Sequence, residues 1–148
     1  MTLGELADML ETSARSLVPR LENDLVEIGA VVRTTAAEYI GHEMPEWPPL
    51  APSTIKQKER LGYTGRVSGT DPLLRTGEMR DSIKAVVADL TLAVGSTDKV
   101  AVFQELGTSR MPPRPFLGLA MSNSLEFAAE RLGETAAALL TPGADFLK

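Results

Sequence analysis

A chain of 148 residues, 43% hydrophobic and 24% charged, suits one folded domain with a core of its own. The absence of cysteine excludes disulfides and thiolate chemistry, and a net charge of −5 argues against a protein whose affinity comes from gripping nucleic-acid phosphates. Residues 1–14 carry no Lys or Arg and no apolar run is long enough to cross a bilayer, so the protein is expected to be soluble and to act where it is made.

Thr2 and Glu5 have the spacing of a capping box, in which hydroxyl and carboxylate each satisfy a free amide of a helix start. Apolar residues then recur every three or four positions from Leu3 through Leu10, Leu17, Leu25 and Val32 to Tyr39, so one stripe can face a core throughout. Pro19 interrupts the run, and proline costs about 3 kcal/mol inside a helix. The expectation is a short first helix, a break or kink near Arg15 to Val18, and a long helix to about Ile40, with Gly41 as its stop. Residues 41–52 hold four prolines and the only tryptophan, and should lie extended. A short helix from Ser53 to Leu61 follows, then a glycine-rich stretch from Gly62 to Pro72 that reads as a mobile loop.

Thr76 can cap a short helix over Gly77 to Ser82. Ile83, Ala85 and Val87 alternate with their neighbours, as do Leu90, Leu92 and Val94, which predicts two strands joined by a tight turn near Asp89. Asp98 can cap a helix carrying Val100, Phe103 and Leu106, closed by Gly107. Residues 108–115 form a second proline-rich loop, and Phe116 to Leu119 read as a third strand, with Phe116 and Leu117 entering the core. Asn123 and Glu126 have the spacing of a second capping box, ahead of a helix that places Leu125, Ala128, Ala129, Leu132, Ala136 and Leu139 on one face. The expected fold is α+β: two long amphipathic helices packed on a small antiparallel sheet, with proline-rich extended arms. Residues 1–148 form a single domain. Within it, 1–41 are N-terminal helices and 42–75 an extended arm, short helix and mobile loop. Residues 76–119 are a β-hairpin and short helices, 120–141 a C-terminal helix and 142–148 a loose tail.

The catalytic inventory is thin. His42 is the sole histidine and sits beside a glycine at a helix end, which suits a surface or capping role better than a base or ligand. No His/Asp/Glu cluster has the spacing of a metal site, and no glycine-rich loop joins a strand to a helix as a phosphate cradle. Glu22, Asp24 and Glu27 read as a solvated helix face, and Lys56, Lys58, Arg60 and Arg66 as a solvated basic surface. No catalytic residue, cofactor or metal is expected, and the chain is not expected to be an enzyme.

Five segments carry more specific information. They are WPPLAPST (47–54), LLRTGEMRDSI (73–83), a hairpin ending in Val94-Gly95, VAVFQELGT (100–108) and PPRPFLGL (112–119). Their order and spacing resemble a family of tailed-phage morphogenesis proteins. That family includes Mu-like virion morphogenesis and tail-completion proteins and the minor-tail or neck proteins of siphophages. The match covers about half the chain, and the Gly62 to Pro72 loop has no counterpart in the pattern. The resemblance implies a structural virion protein, assembled in the bacterial host cytoplasm and ending in the neck or tail of the particle. It would form a homo-oligomeric ring, a hexamer to match a tail. The ring would complete or terminate the tail between the connector or head-completion protein and the tail tube protein, with DNA passing through the lumen. The alternative is a non-virion tail-assembly chaperone, a morphogenesis factor that leaves.

Extended arms on a compact domain suit ring building, because each arm can reach the next subunit. The candidate subunit-interface residues are Trp47, Pro49, Leu50, Arg66, Arg110, Arg114 and Pro115. Trp47 is either an anchor on its own domain or a hot spot in a neighbour, and Arg114 suits a contact within or across subunits.

Overall fold

The computed structural model describes residues 2–63 and 71–140. The first element, α1 (Leu3–Tyr39), begins with the full capping box: the Thr2 amide donates to Glu5 Oε2 at 2.6 Å, and the Glu5 amide to Thr2 Oγ1 at 3.2 Å. It runs 37 residues without interruption, and Pro19 lies inside it, contrary to the expected break at residues 15–18. Pro19 removes one amide and deprives the Arg15 carbonyl of its usual donor, but both residues are exposed, so water can take that carbonyl. At the far end Gly41, at φ +93°, turns the chain away, and its amide donates to the Pro72 carbonyl at 2.9 Å.

The long stripe faces the core along only half of α1. Asp24, Ile28, Gly29, Val32 and Ala36 are its buried residues, whereas Leu3 is 87% exposed and Leu6, Leu10 and Leu17 are exposed as well. The second half of α1 packs against the hairpin of β1 (Ile83–Ala88) and β2 (Thr91–Ser96), an antiparallel pair in which Ala85 faces Val94 and Val87 faces Leu92. Gly29 permits the close approach: a Cβ there would sit 2.7 Å from Leu92 Cδ1 and 3.1 Å from the Ala85 Cβ. Asp89 and Leu90 both take positive φ, as a tight two-residue turn between twisted strands requires.

Two short helices precede the hairpin, α2 (Pro52–Arg60) and α3 (Glu78–Asp81). Gly77, at φ +91°, is the cap of α3, and Thr76 Oγ1 only approaches the Glu78 amide at 3.4 Å. After the hairpin come α4 (Lys99–Leu106), α5 (Leu117–Asn123) and α6 (Leu125–Leu140). Asp98 caps α4 by accepting the Val100 amide at 2.9 Å.

Residues 116–119 are therefore the start of a helix, not a third strand. Its cause is Glu105, whose carboxylate accepts the amides of Phe116 (2.8 Å), Leu117 (3.0 Å) and Gly118 (2.7 Å). Three amides converging on one anion curl the chain into a helical turn and satisfy the donors that a helix start leaves free. The expected Asn123 cap also differs: Asn123 closes α5 and its Nδ2 donates to the Tyr39 hydroxyl at 2.7 Å, while Ser124 joins the two helices.

The α+β class is borne out, with six helices and one two-stranded antiparallel sheet among the described residues. Ile28, Val32 and Ala36 from α1 and Ile40 just after it meet Ile83, Met79, Ala101, Phe116, Ala120 and Trp47 in the core. Of the second long helix, Ala128 and Leu132 pack against that core, whereas Leu125 is exposed. Polar contacts lock α6 to α1. Asp24, expected on a solvated face, is only 3% exposed; it accepts the Thr135 hydroxyl at 2.5 Å and pairs with Arg131 Nε at 3.3 Å. Arg131 also reaches Glu27 (2.7 Å) and Glu134 (3.2 Å), and its hydrogen bond to Glu27 heads the causes that raise its pKa above the ordinary value.

Candidate functional site

The two proline-rich arms meet each other inside the chain. Trp47 is 7% exposed, and its indole N–H donates to the Pro115 carbonyl at 3.2 Å. Arg114 is 5% exposed; its Nη2 donates to the carbonyls of Pro48 (3.0 Å) and Pro49 (3.2 Å), and its Nε to Pro48 (3.3 Å). Prolines lack an amide and leave their carbonyls free on an extended chain, so a guanidinium with a fork of donors is a fitting clamp. Its partners are backbone carbonyls of its own chain, and burial lowers its pKa from the ordinary arginine value. Trp47, Arg114 and Pro115 thus tie two segments of their own chain together. Pro49, Leu50 and Arg110 remain at the surface, and Arg66 lies outside the described residues.

Helix α4 has its polarity inverted. Val100, Val102, Phe103 and Leu106 are exposed, Leu106 by 74%, while Ala101 is buried and Gln104 and Glu105 are turned partly inward. The reason lies in its neighbours: Glu105 is drawn in to cap α5, and the Gln104 carbonyl accepts the Arg114 amide at 2.7 Å. A helix of eight residues cannot present both faces to one core, so the apolar one is left outside. Burial of such side chains is worth about 1.5–3 kcal/mol each, so their clustering on one face leaves an apolar surface that a cover would stabilise.

Beside this face lies a groove of about 430 Å³ between α2, α4 and the segments at 49–51, 73–75 and 110–112. Its floor is apolar, with Leu50, Leu61, Leu73, Leu74, Val100 and Met111. Lys58, Arg75, Arg110 and Arg114 line it, no Asp or Glu does among the described residues, and Gln104 Oε1 on its wall is buried without a hydrogen-bond partner. A tight turn positions Arg110: the Thr108 amide donates to the Met111 carbonyl at 2.8 Å, leaving Arg110 exposed at the tip. Gly107 makes that turn possible with φ +73° and ψ −179°, and a Cβ there would meet Pro113 N at 2.8 Å. Arg75 stacks over the Tyr63 ring, its guanidinium carbon 4.8 Å from the centroid.

Of the expected basic surface, Lys56 and Arg60 are exposed, but Lys58 is half-buried and donates to the Asp71 carbonyl at 2.5 Å. Burial lowers its pKa, with the Asp71 charge opposing. His42 Nδ1 contacts the Glu38 carbonyl at 2.5 Å, beside a more open hollow of about 850 Å³. Among the described residues no three His, Asp or Glu side chains group as metal ligands, and no helix is long and apolar enough to cross a membrane. The geometry offers an apolar, basic docking surface. Sequence reasoning picked Pro49, Leu50 and Arg110 on it but missed α4, whose exposed side is apolar where amphipathic logic assigns apolar residues to the core.

No family model matches the chain. The chain is similar to the Mu-like prophage FluMu G protein 1 of Haemophilus influenzae, with 27% identity over 108 residues, covering 70% of this chain and 71% of that protein. No solved structure matches. This likeness associates the chain with Mu-like phage proteins.

Proposed function

We propose that this chain is a structural virion protein of the phage head–tail junction. Copies form a homo-oligomeric ring, taken as six-fold, that completes the tail and joins it to the connector, with DNA passing through the lumen. The observation that carries the reading is the inverted helix α4: a surface of Val100, Phe103 and Leu106 beside a basic groove suits a permanent protein interface. Similarity to a Mu-like prophage protein supports the phage setting, and the five-segment resemblance supports the neck. The overall negative charge is compatible with a lumen that must let DNA slide, since a basic lining would hold phosphates.

Deleting the gene and counting copies in purified wild-type particles tests this directly. A stoichiometric virion protein, with heads and tails unjoined in the deletion, is the expected result. A deletion defect with no copies in mature particles would replace the ring subunit by a tail-assembly chaperone.

A further inference from the structure

We infer that the projecting first half of α1, residues 3–18, of one copy docks along the groove and α4 face of a second copy, head to tail. This deepens the ring reading, and its biological meaning rests on that reading. Leu3, Leu6, Leu10 and Leu17 recur at helical spacing and continue the line that Ile28 and Val32 bury, yet all four are exposed. A solvated leucine stripe of this length needs a cover.

Its own groove is out of reach. Leu74, on the groove, packs beside Gly41 just past the opposite end of α1, and the helix from Leu10 to Tyr39 spans roughly 45 Å. The helix is unbroken, so the stripe cannot fill its own groove, and another molecule can cover it.

Charge selects a second copy as that molecule. Residues 2–14 carry Glu5, Asp8 and Glu11 and no base, whereas Lys58, Arg75, Arg110 and Arg114 line the groove with no Asp or Glu among its described lining residues, Asp71 lying beside Lys58. Glu11 is shared with Arg15 at 2.6 Å and Glu5 also caps its own helix, but the arm keeps its negative excess. Polar matching agrees: Ser13 is the polar residue within the stripe, and Gln104 Oε1 on the groove wall lacks a donor. Arm and groove are different surfaces of one chain, so the contact is heterologous and repeats from copy to copy until a ring closes.

The chain's lack of cysteine permits a clean test on the full-length protein. Leu10→Cys and Phe103→Cys replace exposed residues, so the doubly substituted protein should fold, which circular dichroism checks. On oxidation of the concentrated protein it should give a ladder of disulfide-linked dimers, trimers and higher species, at least tenfold more than Leu10→Cys alone. Adding Arg75→Glu and Arg110→Glu should abolish the ladder, and Glu5→Lys with Asp8→Lys in the same chain should restore it. Equal cross-linking by Leu10→Cys alone would mean arm-to-arm pairing and overturn the proposal. So would a ladder indifferent to charge reversal, or no ladder from folded protein. A ladder from a protein absent from phage particles would leave this contact standing and remove the neck role. A ring in particles without the ladder would do the opposite.

Discussion

Replacing Glu105 by alanine removes one carboxylate and strands three donors, the amides of Phe116, Leu117 and Gly118, now held at 2.7–3.0 Å. Hydrogen bonds to a charged group are worth about 1.5–3 kcal/mol each, but Gly118 is exposed, and water can take over part of what is lost. About 3 kcal/mol overall is the working figure. It matters globally because α5 carries Phe116 at its cap and Ala120 in its interior, both fully buried. For a chain of this size each kcal/mol moves Tm by about 2–4 °C, so Glu105→Ala should melt about 6–12 °C below wild type. Glu105→Gln keeps an acceptor oxygen but not the charge, and should lose about 1 kcal/mol. Thermal melts by circular dichroism read both. A fall of under about 2 °C for Glu105→Ala would refute the view that this carboxylate builds the α5 turn.

Gly107→Ala adds a Cβ 2.8 Å from Pro113 N at φ +73°, and should cost about 3 kcal/mol or more, read as a lowered denaturation midpoint. Asp24→Ala removes the acceptor of Thr135 and one partner of Arg131, and should cost about 1–3 kcal/mol in urea unfolding, with Asp24→Asn milder. Pro19→Ala should gain about 3 kcal/mol of local helix stability, seen as slower hydrogen exchange around residues 15–23 with little change in Tm, because α1 buries nothing before Asp24. Burial holds the Lys58 pKa below 10.5, so the folded chain releases that proton before the unfolded one. Between the two values the unfolded state binds more protons and stability rises with pH. Lys58→Met should flatten that rise in melts just below pH 10.5.

Where the pattern was local, the sequence was legible. The alternation around Ile83 to Val94 gave the hairpin and its turn, Asp98 and Gly107 bracketed α4, and Thr2 with Glu5 began α1. Features decided by distant partners were not. Residues 116–119 look like a strand until Glu105 supplies their cap, and Asp24 looks solvated until Thr135 and Arg131 reach it from α6. Pro19 forecast a break that an exposed helix tolerates. The arms are proline-rich as read, but each contains a tight turn, and Arg114 and Trp47 bind them to each other across 65–68 residues of sequence. The groove was half visible, as Pro49, Leu50 and Arg110. Its other half hid in α4, because periodicity marks an apolar face without saying whether its own core or another molecule covers it.

Cryo-electron microscopy of the purified particle tests the central claim most directly. The account predicts a six-fold ring of this chain between connector and tail tube, its long first helices reaching from each subunit to the next. Intact joined particles with no density for the chain at the neck would contradict it.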